Sequence, residues 1–181
     1  QAILIATHDG MSICFKETDV RCMGRDACGV RGIKLREGDY VIGAARAKHD
    51  HQVLMVTENG YGKRTDMDEY IRADGPQNRG GYGLKGYNVT EKTGPVVGVK
   101  VVSDADDILV INDAGVIIRM AVSGISTYGR AAQGVKLMNL DEGVKVISFA
   151  RTDHEEEEPD QEGENSNTDA SVSTPSDSAV E

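Results

Sequence analysis

A seven-residue pattern that occurs three times constrains this chain more than any other feature. The copies are Arg25-Asp26-Ala27-Cys28-Gly29-Val30-Arg31, Arg79-Gly80-Gly81-Tyr82-Gly83-Leu84-Lys85 and Arg130-Ala131-Ala132-Gln133-Gly134-Val135-Lys136. Their shared form is Arg, three residues, Gly, an aliphatic and a base. Each copy continues with apolar residues two and four places on (Ile33 and Leu35, Tyr87 and Val89, Met138 and Leu140) and then an acid, Glu37, Glu91 or Glu142. That alternation has the period of a β-strand.

Each copy is also preceded by an apolar run that ends in a turn: Ile3 to Thr7 into Asp9-Gly10, Val53 to Thr57 into Asn59-Gly60, and Ile108 to Ile111 into Ala114-Gly115. Asp-Gly and Asn-Gly between β-rich runs are strong hairpin signals, because both turn residues need positive φ. The repeat Arg recurs after 54 and then 51 residues, at 25, 79 and 130. A period of this size in short strands predicts propeller-like blades rather than a helical solenoid.

The predicted fold is therefore all-β, with pinwheel blades of four-stranded antiparallel sheets in units of about 1–48, 52–102 and 107–150. The first unit is expected to supply strands at Ile3 to Thr7, Met11 to Phe15, near Ile33 to Leu35, and Tyr40 to Ala45. The one helix candidate, Thr65 to Tyr70, is at most a short turn. Blades bury their faces against neighbours, so three units leave an open end and further blades are expected upstream. With Gln1 opening almost directly into a strand, the chain reads as the C-terminal part of a longer protein.

The net charge of −10 is unevenly placed. Residues 1–151 hold all 20 Lys and Arg against 19 acids, whereas 152–181 hold eleven acids and no Lys or Arg. The predicted organisation is a nearly neutral body, 1–151, and an acidic tail, 152–181, too poor in apolar residues to offset its ordering entropy and so expected to be disordered. No apolar run approaches the roughly 20 residues of a membrane helix, and no membrane partner is expected. Cys14, Cys22 and Cys28 are odd in number and lack metal-like spacing, which suits a reducing compartment.

One base at a recurring place in each blade forms a curved row when blades close around an axis, and such a row can follow a bent phosphate backbone. The candidate DNA-binding residues are Arg25, Arg31, Arg79, Lys85, Arg130 and Lys136, flanked by Arg21, Lys63, Arg64 and Arg119. The motif glycines add backbone N–H groups that a phosphate can approach closely. Without base-reading side chains in the row, binding would depend on charge and DNA bendability. The structural alternative is that these bases form cross-strand ion pairs with Glu37, Glu91 and Glu142.

Other constellations carry less. His49-Asp50-His51 lacks the further ligands of a metal site, and Asp104, Asp106 and Asp107 fall in a hairpin loop, so no metal site is expected. Tyr61, Tyr82 and Tyr128 have no general base beside them by spacing, and no catalytic residue is assigned. The tail is either a solubilising end or a mimic that competes with phosphates for the basic row.

Asn59-Gly60-Tyr61-Gly62-Lys63-Arg64-Thr65, Arg79 to Lys85 and Gly129 to Leu137, in register on a repeat of about fifty residues with an acidic tail, resemble the C-terminal domain of bacterial DNA gyrase A. The resemblance covers roughly residues 1–151. It implies the last three blades of a six-bladed β-pinwheel that binds and wraps double-stranded DNA, within an ATP-dependent type II topoisomerase that introduces negative supercoils. It implies, too, gyrase B and a second copy of gyrase A as partners (an A2B2 assembly), a bacterial cytoplasmic and nucleoid-associated setting, and ATP and Mg2+ for the holoenzyme. No cofactor is expected on this segment itself, because the DNA-cleaving tyrosine, the magnesium site and the ATPase would lie in other parts. Gln77-Asn78-Arg79-Gly80-Gly81-Tyr82-Gly83 departs from the family's Gln-Arg-Arg-Gly-Gly-Arg-Gly box at Asn78 and Tyr82, and the box proper is expected upstream. Two other readings are the equivalent domain of topoisomerase IV and a propeller-type protein-interaction scaffold.

Overall fold

The computed structural model describes residues 1–71 and 75–154. Three hairpins form where the turn signals lie: β1 (Ala2–Thr7) with β2 (Met11–Lys16), β4 (Gln52–Thr57) with β5 (Tyr61–Asp66), and β8 (Asp106–Asn112) with β9 (Ile117–Ala121). Gly10, Gly60 and Gly115 hold φ of +82°, +78° and +82°, a region that a Cβ makes costly. A third strand joins the first strand of each hairpin: β3 (Val41–Ala47), β7 (Val96–Val102) and β11 (Val146–Asp153).

The fourth strand comes from the next repeat. Strand β6 (Leu84–Lys85) belongs to the second motif copy yet pairs with β2, Leu84 opposite Ser12 and Lys85 opposite Met11. Strand β10 (Val135–Lys136) of the third copy pairs with β5, Val135 opposite Gly62 and Lys136 opposite Tyr61. The sheets therefore run β3-β1-β2-β6 and β10-β5-β4-β7, and the third stops at β11-β8-β9. This corrects the expectation that each unit builds its own four strands. No strand forms near Ile33 to Leu35, and none forms at its counterparts Tyr87 to Val89 and Met138 to Leu140, because the rim strands end at Lys85 and Lys136.

The joint is reinforced in the same way twice. Gly86 and Tyr87 N–H groups both donate to the Gly10 carbonyl, at 2.8 and 3.0 Å, and Leu137 and Met138 repeat this on Gly60, at 2.8 and 3.2 Å. A Cβ at Gly83 or Gly134 would run into the carbonyl of Ser12 or Gly62. The motif glycine is thus needed for close approach of two backbones.

Blades meet through β3, β7 and β11. Val96 N–H donates to the His8 carbonyl at 2.9 Å and Val146 N–H to the Glu58 carbonyl at 2.8 Å. Strand β4 is buried on both faces: Val53 and Met55 pack with Leu4, Cys14, Tyr87 and Val99, while Leu54 and Val56 pack with Ile108, Val110, Val102 and Phe149. Such a strand reads as a continuous apolar run rather than an alternating one, and each fully buried aliphatic contributes roughly 1.5–3 kcal/mol. With β3, β7 and β11 on the inner side, β6 and β10 lie on the outer rim.

Among the described residues the helical content is three 3-10 turns, Glu17–Asp19, Met67–Tyr70 and Val122–Gly124; the second falls in the segment expected to hold one. The body extends past residue 151, because Thr152 and Asp153 pair with Asp107 and Asp106 in β11. The disordered tail expected from 152 lies, from 155 on, outside the described residues.

Candidate nucleic-acid interface

The rim strands carry one exposed base each. Lys85 on β6 and Lys136 on β10 occupy the same place in consecutive blades, opposite the residue that follows the turn glycine. The Lys85 ammonium donates to Asn88 Oδ1 at 2.6 Å. Arg31, the equivalent of both, is exposed in the first copy, as are Arg21 and Arg25. A base fixed to the backbone at each blade edge can meet successive phosphates without any base readout.

The motif arginines tie consecutive copies together. Arg130 Nη1 donates to the Lys85 carbonyl at 2.8 Å, and Arg79 Nη1 donates to the Arg31 carbonyl at 3.1 Å while its Nε donates to the Asp19 carbonyl at 2.8 Å. In both cases the Arg of one copy holds the last base of the copy before it. Ion pairs between these bases and Glu37, Glu91 or Glu142 do not form among the described residues; the arginine side chains donate to carbonyls instead, and the Glu69 carboxylate accepts the Arg130 backbone N–H at 2.7 Å.

Lys63 and Arg64 do not flank the row; they are buried beneath it. The Lys63 ammonium donates to the carbonyls of Gly129, at 2.8 Å, and Arg130, and lies 5.2 Å from the centre of the Tyr87 ring. Burial pulls its pKa down to about 8, since desolvation disfavours the charged form. Arg64 donates to the Ile125 carbonyl at 2.5 Å and the Ser123 carbonyl at 3.5 Å and pairs with Asp104. Arg119, on β9, donates to Asp107 Oδ2 at 2.8 Å and to the Asp153 carbonyl at 3.0 Å. The hydrogen bonds of His154 and Arg119 hold the Asp107 carboxyl below its ordinary range. The strand position warns of the Lys63 burial: its counterparts one repeat away are Ile13 and Ile118.

Two exposed bases outside the motif join the rim. Lys34 Nζ stands 4.7 Å from the centre of the Tyr82 ring, and its N–H donates to the Gly81 carbonyl at 2.8 Å, so it lies between the first two copies. Lys92 Nζ stands 5.5 Å from the Tyr61 ring centre. Neither belongs to the repeated pattern, and only the fold places them. The residues His49, Asp50 and His51 do not converge: His49 Nδ1 lies 3.2 Å from Asp68 Oδ1, and His51 Nδ1 lies 3.2 Å from the His49 carbonyl.

Comparison with known proteins fits this geometry. The family model described as the DNA gyrase C-terminal domain, beta-propeller, matches residues 1–48, 51–103 and 106–153. The DNA gyrase A protein of Staphylococcus epidermidis is 46% identical over 157 residues, 86% of this chain and 17% of that protein. The DNA gyrase A protein of Staphylococcus aureus is 45% identical over 164 residues, 88% of this chain and 18% of that protein. The chain thus spans less than a fifth of the curated relatives it matches. Among solved structures, a DNA gyrase A C-terminal domain superposes with a TM-score of 0.75 at 30% identity, covering 83% of this chain and 50% of that one. The C-terminal domain of a DNA topoisomerase IV superposes with a TM-score of 0.76 at 25% identity, covering 84% and 46%. Three β-blades joined by exchanged rim strands, matched unit by unit, establish that this chain belongs to the DNA gyrase C-terminal domain family.

Proposed function

We propose that this chain is a DNA-binding and DNA-bending segment of a gyrase A protein, supporting negative supercoiling by an ATP-dependent type II topoisomerase. Double-stranded DNA is its direct partner. Gyrase B, a second gyrase A, the ATP and Mg2+ of an A2B2 holoenzyme and a cytoplasmic, nucleoid-associated setting follow from that assignment. The observation that carries the reading is the placement of Lys85 and Lys136 at equivalent points of consecutive blade edges. Arg31, Arg25, Arg21, Arg79, Arg130 and Lys34 extend the same edge; Lys63 and Arg64 drop out of it because they are buried, and Arg119 because the Asp107 carboxylate neutralises it. The higher identity to gyrase A proteins than to the topoisomerase IV domain favours gyrase over that second reading.

Titration of a mixed-sequence duplex with residues 1–181 at several salt concentrations tests the proposal. Expected is an affinity that falls steeply with salt and drops further in a Lys85→Ala, Lys136→Ala double variant, whose salt slope is shallower by about two phosphate contacts. Salt-independent binding of a protein ligand, with no duplex binding at low salt, would reassign the chain to an interaction scaffold.

A further inference from the structure

One side-chain cluster lies away from the basic rim and outside the repeated pattern. At the turn of the first hairpin, His8 Nδ1 stands 3.2 Å from Asp9 Oδ1, and Asp39, on the loop that leads into β3, completes the group. One metal-ligating atom from each of the three lies within 4.8 Å of the other two. The repeat does not require these residues: the equivalent positions hold Glu58, Asn59 and Gly94 in the second unit and Asp113, Ala114 and Val144 in the third. The turn glycine nevertheless has nearly the same φ in all three.

The side chains are held before any ligand arrives. The His8 backbone N–H donates to the Tyr40 carbonyl at 2.9 Å, and the His8 carbonyl accepts the Val96 N–H of the second blade at 2.9 Å. The imidazole stacks on the Tyr40 ring with centroids 4.5 Å apart. Asp39 Oδ1 accepts the backbone N–H groups of Asp9 and Tyr40, at 3.0 and 2.9 Å, which fixes the carboxylate and leaves Oδ2 without a hydrogen bond among the described residues. At the other ring nitrogen, Nε2 lies 4.0 Å from Glu58 Oε1. His8 thus has a carboxylate at both nitrogens, and a neutral imidazole carries only one N–H. With that N–H toward Glu58, the Nδ1 lone pair faces the Asp9 carboxylate, two acceptors with no proton between them. A cation turns this mismatch into coordination: two ligand atoms each about 2.1 Å from one metal ion stand roughly 3.0–3.4 Å apart at right or tetrahedral angles. Glu58 then takes the outer place that a carboxylate commonly holds behind a metal-bound histidine.

We propose that His8, Asp9 and Asp39 bind a divalent cation of the Zn2+ or Mn2+ class. One imidazole and two carboxylates form a mixed nitrogen and oxygen set that such ions accept, and three protein ligands leave the remaining positions to water. The site braces the joint between the first two blades. A cation on Nδ1 fixes the tautomer that presents Nε2–H to Glu58, whose other oxygen accepts from the Lys145 ammonium of the third blade at 2.5 Å. Spacing along the chain hides the group, because Asp39 stands 30 residues from Asp9.

Titration of residues 1–181 with Zn2+, followed in the histidine 1H–15N imidazole spectrum and without DNA, tests this independently of the DNA-binding reading. His8 is expected to pass in a saturable step to a form metallated at Nδ1 and protonated at Nε2, and the same addition raises the thermal unfolding midpoint. Asp9→Asn and Asp39→Asn each weaken the His8 transition by at least about tenfold. Both variants keep the fold within reach: the second repeat has Asn at the first of these positions, and an amide at the second still offers an oxygen to the two N–H groups. A His8 that keeps its spectrum in millimolar Zn2+, with Nδ1–H directed to Asp9, overturns the proposal and leaves a plain hydrogen bond in its place. So does a His8 transition that is unchanged in both folded variants, or zinc uptake seen only at His49, His51 or His154.

Discussion

The guanidinium of Arg130 donates to the main-chain carbonyl of Lys85 at 2.8 Å, so one motif copy fixes the backbone on which its predecessor displays a charge. Because the acceptor belongs to the main chain, the two side chains can be separated experimentally. Arg130→Ala is expected to cost about 1–2 kcal/mol in urea unfolding, the range for a charge-assisted hydrogen bond near the surface. Lys85→Ala leaves that contact intact and should move stability by less than about 0.5 kcal/mol while weakening duplex binding. Equal loss of stability in both variants would contradict this division of roles.

Lys63 makes the stability of the fold depend on pH. Its folded-state pKa is lowered from 10.5 to about 8 by burial, so between those values the unfolded chain carries a proton that the folded chain does not. Folding therefore strengthens as pH rises through that window, and the penalty of burying the charge is fully present below it. Urea unfolding at pH 7.5, 8.5 and 9.5 should show this rise, and its absence in Lys63→Met isolates the group from others that titrate nearby.

Arg64 is expected to be the most costly of the basic residues to remove. Arg64→Ala leaves the carbonyls of Ile125 and Ser123 without their donor, while the largely exposed Asp104 is taken up by water, a loss of about 2–3 kcal/mol. Thermal unfolding measures it. Duplex affinity of the fraction that remains folded should match the parent, since Arg64 does not reach the rim.

Two glycines with nearly the same φ should respond differently to alanine. Gly143, at +82° with open space around its missing Cβ, carries only the backbone penalty of about 1–2 kcal/mol. Gly134, at +74°, adds a collision with the Gly62 carbonyl, and Gly134→Ala should lose roughly 1–3 kcal/mol more. Chemical denaturation of the two variants side by side gives the difference.

The hairpins were legible because their signals are local: each turn glycine lies within eight or nine residues of the far end of either flanking strand. The β4 run Val53 to Val56 was equally plain, since burial on two faces leaves no polar alternation. The rim strands were not, because a two-residue strand has no period and its partner lies a repeat away, as Lys85 lies from Met11. Nor was the fate of Lys63 and Arg64. Their charge pointed to the surface, while their strand positions pointed inward, and the carbonyls of Gly129 and Ile125 that settle the matter come from more than 60 residues downstream. The tail boundary slipped by two residues for a similar reason: Thr152 and Asp153 look like tail but pair with Asp107 and Asp106.

Because each rim strand is loaned by the repeat that follows, the unit that is copied along the sequence and the unit that folds are out of phase. During synthesis the first hairpin and β3 emerge well before Leu84 and Lys85 exist, so the first blade waits, edge open, for nearly a whole further repeat. Domains emerge N-terminal part first and exposed strand edges invite mispairing in that interval. A chain cut cleanly between sequence repeats, at residue 103 for example, would still leave its last blade without the strand that β10 supplies to Tyr61 and Gly62, whereas a cut after Lys136 keeps that strand but parts β8 from β11; no single cut between these two blades leaves both whole.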